Sequence, residues 1–153
     1  MSKRTFRLRV ALRDTSSLRA HVKDGMGAFA EADRRSVAEA ERSRIGDSLD
    51  LDAATRDEFP QANRWDYVLS IPDLSQIVGI EPHTAKDSEI GVVIAKRQHA
   101  VACLRQHLRD GYRVARWFWV SHGPVGFSRM DRARRRLDQN GIAFVGRVLA
   151  TFG

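Results

Sequence analysis

Residues 65–123 read WDYVLSIPDLSQIVGIEPHTAKDSEIGVVIAKRQHAVACLRQHLRDGYRVARWFWVSHG, and this stretch decides the fold class. WDYVLSI (65–71) has the aromatic and β-branched content of a strand. Pro72-Asp73 opens a turn. QIVGIEPHTA (76–85) predicts a second strand, apolar at first and polar at its end. Asp87 or Ser88 can cap a helix running from about Glu89 to Arg109. Its Ile90, Val93, Ile94, Val101, Leu104 and Leu108 recur at helical spacing, and Asp110-Gly111 stops it. VARWFWVSHG (114–123) predicts a strand whose aromatic density implies burial.

Outward from this stretch, the Gly123-Pro124 break precedes a helix around 129–139, stopped by Asn140-Gly141, and IAFVGRVLA (142–150) predicts a last strand. On the other side, DAATRDEFPQANR (52–64) reads as a polar connection, and SLDLD (48–52) as a short strand. Residues 16–43 are rich in Ala, Glu and Arg, which predicts one helix, or two if Gly25 and Gly27 divide it. The start, MSKRTFRLRVALRD, alternates basic and apolar residues at a strand-like period of two, as an edge strand or a loose arm. The order strand, strand, helix, strand, helix, strand implies an α/β sandwich: a central mixed sheet flanked by helices. Residues 1–44 form an N-terminal strand or arm and helical segment. It is expected to pack on an α/β core of 45–153 within one domain, or to serve a homodimer contact.

The residues that carry chemistry are Asp66, Glu81, His83, Glu89 and Lys96. Asp66 lies in the first clear strand and Glu81 near the end of the next, so a hairpin can bring both carboxylates together. His83 lies two residues beyond Glu81 and shares its side of the strand. Carboxylates gathered this way repel unless a cation neutralises them, and hard oxygens suit Mg²⁺ or Mn²⁺. Such an ion polarises a phosphate and lowers the pKa of an attacking water. His83 is then a proton acceptor or an extra ligand. Glu89 and Lys96 are two helical turns apart on one face, which makes Glu89 an additional site acid. Each also has an ordinary reading: a strand polar residue, a local ion pair, a first-turn helix acid, a solvated lysine.

Asp66, then Glu81-Pro82-His83, then a helix, a strand, a helix and a strand, resembles the PD-(D/E)xK nuclease superfamily over roughly 45–150. The resemblance implies a restriction-endonuclease-like core of one helix, three strands, a helix and a strand. SLDLD would be its first strand, Asp66 and Glu81 its metal-holding acids. It further implies metal-dependent hydrolysis of phosphodiester bonds in nucleic acid, DNA or RNA. Where that family has a lysine this chain has His83; Lys96 or Lys86 on the following segment would take its place, with His83 and Lys96 the catalytic pair. The alternative is a non-catalytic member of the fold that binds nucleic acid or protein. IEPHTAKDSEIGVVIAKRQHA is also similar to a group of uncharacterised bacterial proteins sharing an E-x-H strand ending.

Charge agrees with a polyanionic partner. The chain has 153 residues and net charge +7. Residues 61–96 are net acidic, whereas 97–153 carry eleven arginines against three aspartates. Arg97, Arg132, Arg134, Arg135 and Arg136 are the expected backbone contacts for nucleic acid. A base-stacking role for one side of Trp117-Phe118-Trp119 is the weaker expectation. His122, beside Gly123, is a further site candidate. No apolar run approaches a membrane span, no leader pattern is recognisable, and a lone Cys103 suggests a reducing compartment, so a cytoplasmic protein is expected. GxSxG, P-loop and GxGxxG motifs are absent.

Overall fold

The computed structural model describes residues 6–153; the first five residues of the expected arm lie outside the described residues. Six strands form one mixed sheet in chain order: β1 (Lys23–Asp24), β2 (Asp47–Asp50), β3 (Tyr67–Ile71), β4 (Gln76–His83), β5 (Val114–Ser121) and β6 (Ile142–Phe144). Helices α1 (Leu8–Ala11), α2 (Leu51–Thr55), α3 (Ile90–His107) and α4 (Met130–Gln139) accompany it. Strands β1 to β4 pair antiparallel, and β4, β5 and β6 pair parallel. A tight turn at Pro72–Leu74 suffices for the antiparallel step. Each parallel step needs a crossover, which α3 and α4 supply. The molecule is a single α/β domain, a mixed sheet flanked by helices.

The helices α3 and α4 lie over one face. Val93, Ile94, Ala100 and Leu104 of α3, with Ala133 and Leu137 of α4, pack on Val68, Ile77, Trp117, Trp119, Ile142 and Phe144. Gly79 makes this face possible. A Cβ there would lie 2.6 Å from the Trp117 ring and 3.0 Å from Trp65 Nε1. Without one, Trp65 and Trp117 meet edge to face, with centroids 4.9 Å apart. The opposite face buries Tyr67, Leu69, Ile71, Val78, Ile80, Phe118 and Val120 under Phe29, Val37, Ile45, Leu149 and Phe152. Trp117, Phe118 and Trp119 are all buried, so none is available to stack on a base.

Three expected elements differ. The period-two run at the start is not a strand: Leu8–Ala11 is one helical turn. The fully buried Asp47 carboxylate holds its N-terminus, accepting from Leu8 N at 2.8 Å and Arg9 N at 3.3 Å. Residues 16–43 do not form α-helices but separate 3₁₀ turns, Ser17–His21 and Glu31–Ser36, followed by Glu39–Arg44. Phe29, Val37 and Ile45 must each reach the same sheet face, which an extended, turn-by-turn path allows and a straight helix does not. The last strand is only Ile142–Phe144. Gly146, at φ +82°, turns the chain away from the sheet edge so that Leu149 and Phe152 cover the second face.

Asp47 also accepts from Ser70 Oγ at 2.6 Å. Asp47→Ala leaves that hydroxyl and two amides without their acceptor. The expected loss is about 2–4 kcal/mol, read as a fall in Tm of roughly 5–10 °C by circular dichroism.

Candidate functional site

The antiparallel β3 begins where β4 ends, since Tyr67 pairs with Ile80. Asp66 and Glu81 therefore meet at the carboxyl end of β4. Alternation along β4 turns Glu81 and His83 to the face that α3 covers, and Lys96 comes down from α3 onto them. Glu81 is fully buried. Its Oε1 accepts from Asp66 N at 2.9 Å, and its Oε2 accepts from Lys96 Nζ at 2.5 Å. Lys96 Nζ also stands 3.9 Å from Asp66 Oδ1. His83 Nδ1 lies 3.3 Å from Glu81 Oε2, and its Nε2 lies 2.8 Å from Glu89 Oε1. All five residues expected from the sequence are thus one connected cluster.

The charges do not balance evenly. Burial, and then the charge of Glu81, push the Asp66 carboxyl up to about 8 despite Lys96 nearby. The hydrogen bond to Glu81 leads in raising His83 above the usual imidazole range, against the opposing effect of burial, with Glu89 adding to it. Burial disfavours the Lys96 ammonium, but Glu81 and Asp66 outweigh it and raise its pKa. Both His83 nitrogens face carboxylates, so the ring is held as a proton carrier. Those contacts occupy both ring nitrogens that the expected proton-acceptor or ligand role would use.

Asp66 and Glu81 offer hard oxygens to a metal ion. Among the described residues no three His, Cys, Asp or Glu side chains are placed to hold one ion together. An ion here would take two protein carboxylates and complete its shell with water or phosphate oxygens, which is how Mg²⁺ is commonly bound. Asp66 is raised first by burial and then by the charge of Glu81, against the lowering effect of Lys96. Asp66 and Glu81 are the donors such an ion would use, and both Glu81 oxygens already accept hydrogen bonds, from Asp66 N and Lys96 Nζ.

The remaining candidates separate. Arg132, Arg134, Arg135 and Arg136 are exposed on α4. Arg132 and Arg136 line a groove with Asp87 and Ile90, at the start of α3 close to Glu89. Arg97 does not join this run: its guanidinium lies 5.6 Å over the Trp117 ring and against Gly141. Lys86 is exposed, and it is Lys96 that pairs with Glu81. His122 is exposed too, and only its backbone N–H meets the site, donating to His83 O at 2.9 Å. Trp119 contributes here by a hydrogen bond rather than by the stacking role the sequence suggested. Its Nε1 donates to the same His83 carbonyl at 3.0 Å and fixes the strand end that carries the histidine. No helix is long and apolar enough to cross a membrane among the described residues.

Comparison with known proteins leaves the site to its own geometry: no family model, no curated protein and no solved structure matches the chain.

Two outcomes follow. Glu81→Ala strands the Lys96 ammonium and the Asp66 amide, at an expected cost of about 3–5 kcal/mol in chemical denaturation. Folded Asp66 keeps its proton up to about pH 8, whereas an unfolded aspartate loses it near 3.8. The stability this proton confers is complete below the lower value and lost as pH rises through the upper one. In metal-free buffer, Asp66→Asn should therefore raise Tm above wild type by several degrees at pH 9 and by little at pH 4.

Proposed function

We propose that this chain is a divalent-metal-dependent, nuclease-like protein that hydrolyses phosphodiester bonds in nucleic acid at the Asp66–Glu81–Lys96 cluster. One observation carries the reading. Two carboxylates and a lysine from β4, α3 and the residue preceding β3 converge within 4 Å of one ammonium. The element order lends support. The meander β2, β3, β4, followed by α3 and a parallel β5, has the succession of the PD-(D/E)xK core that the sequence resembles. The leading helix of that core has only the single-turn α1 as a counterpart.

Asp66 and Glu81 would hold the ion, which when bound supplies Lewis-acid polarisation of the phosphate and a more acidic water. Lys96 contributes a fixed positive charge toward charge developing on a phosphoryl oxygen. It takes the part the family gives to a lysine on the strand. His83, its pKa raised between Glu81 and Glu89, would serve as a source of a proton for a leaving oxygen. Arg132, Arg134, Arg135 and Arg136 supply contacts to the nucleic-acid backbone. A second reading, a non-catalytic binding member of the same fold, draws on the closeness of Lys96 to Glu81, which already neutralises that carboxylate.

The test is cleavage of single- and double-stranded DNA and RNA with Mg²⁺ or Mn²⁺, by wild type and by Asp66→Asn. This substitution is chosen because Glu81→Ala threatens the fold. The expected result is metal-dependent cutting that falls at least about 100-fold in Asp66→Asn. A folded wild type that cuts none of these substrates, or a variant that cuts equally well, overturns the nuclease reading.

A further inference from the structure

A second site lies at the other end of the parallel strands. We propose that the cavity between the C-terminal half of α3, the start of β5 and the α4–β6 turn binds a small organic anion. The ligand would carry a phosphate or carboxylate head on a flat apolar body. The cavity has a volume of about 460 Å³, within the roughly 300–1,000 Å³ of small-molecule sites. Arg97, Arg105 and Arg113 line it, with Leu104, Tyr112 and Trp117 among its apolar walls, and no carboxylate lines it at all.

The arginines around it differ from their neighbours. Arg13 is paired with Asp110 at 3.0 Å, and Arg109 with Asp14 at 2.7 Å. Among the described residues no acidic side chain pairs with Arg97, Arg105 or Arg113. Arg97 is the most constrained of the three. Its Nε is buried without a hydrogen-bond partner. Its guanidinium occupies the space that Gly141 leaves open, where a Cβ would stand 2.7 Å from Nη2. Unpaired guanidiniums around one concavity match the two-oxygen edge of a phosphate or carboxylate. The aliphatic and aromatic walls suit the body of the molecule. This site is separate from the Asp66–Glu81–Lys96 cluster and does not depend on its chemistry.

The test is titration of the full chain with adenosine monophosphate, 1-naphthoate and inorganic phosphate, followed by calorimetry and tryptophan fluorescence. The expected result is saturable 1:1 binding of the nucleotide or the naphthoate, about tenfold or more tighter than inorganic phosphate. Adding 1-naphthyl phosphate, which keeps the body of the naphthoate, identifies the preferred head group. Arg105 and Arg113 are exposed, so Arg105→Gln with Arg113→Gln should keep the fold and weaken binding at least about tenfold. Asp66→Asn should leave it unchanged. No saturable binding of either organic probe at millimolar concentration, or binding undiminished in the double variant, overturns the proposal.

Discussion

The carboxylate of Glu81 is wholly removed from water, and much of this structure is arranged to make that tolerable. A buried charge needs a partner and filled hydrogen bonds. The amide of Asp66 and the ammonium of Lys96 supply them, so one side chain ties the start of β3, the end of β4 and the middle of α3 together. The tie also fixes register. A one-residue slip of β4 would turn Glu81 and His83 to the other face, among Leu69, Phe118 and Val120, where no charge partner waits. Trp119 secures the same corner from β5 through the His83 carbonyl.

The arrangement satisfies Glu81 at the expense of Asp66. One ammonium serves two carboxylates, and the less buried of the two is left with a strong preference for its proton. A purely structural ion pair does not need the second acid. Here burial first, and then the charge of Glu81, hold the second acid toward its protonated form. Arg132 and Arg136 of α4 line a groove with Asp87 and Ile90, at the start of α3 next to Glu89. Acid and base are thus side by side on one end of the domain, while an arginine-lined cavity occupies the other.

Much of the cluster was legible because its members obey simple periods. Glu81 and His83 share a strand face at a spacing of two, and Glu89 and Lys96 share a helix face at a spacing of seven. The burial of Glu81 was not legible, since it depends on how α3 packs on the sheet. Nor was the raised pKa of His83, which follows from the acids on both sides of the ring. The capping of α1 by Asp47 joins residues far apart in the chain and leaves no local trace. The composition of 16–43 suggested α-helix, but propensity is a weak prior. The need to seat Phe29, Val37 and Ile45 on one face prevailed. Arg97 was grouped with the α4 arginines by charge alone, whereas packing on Trp117 and Gly141 gives it a different place.

A carboxyl-carbon NMR titration of Asp66, with and without Mg²⁺, tests the charge excess at the cluster most directly. The predicted midpoint is about 8 in metal-free buffer, falling by about one unit or more when Mg²⁺ binds. A midpoint close to the ordinary aspartate value of about 4, unmoved by Mg²⁺, would contradict both the shared buried charge and the cation it is proposed to hold.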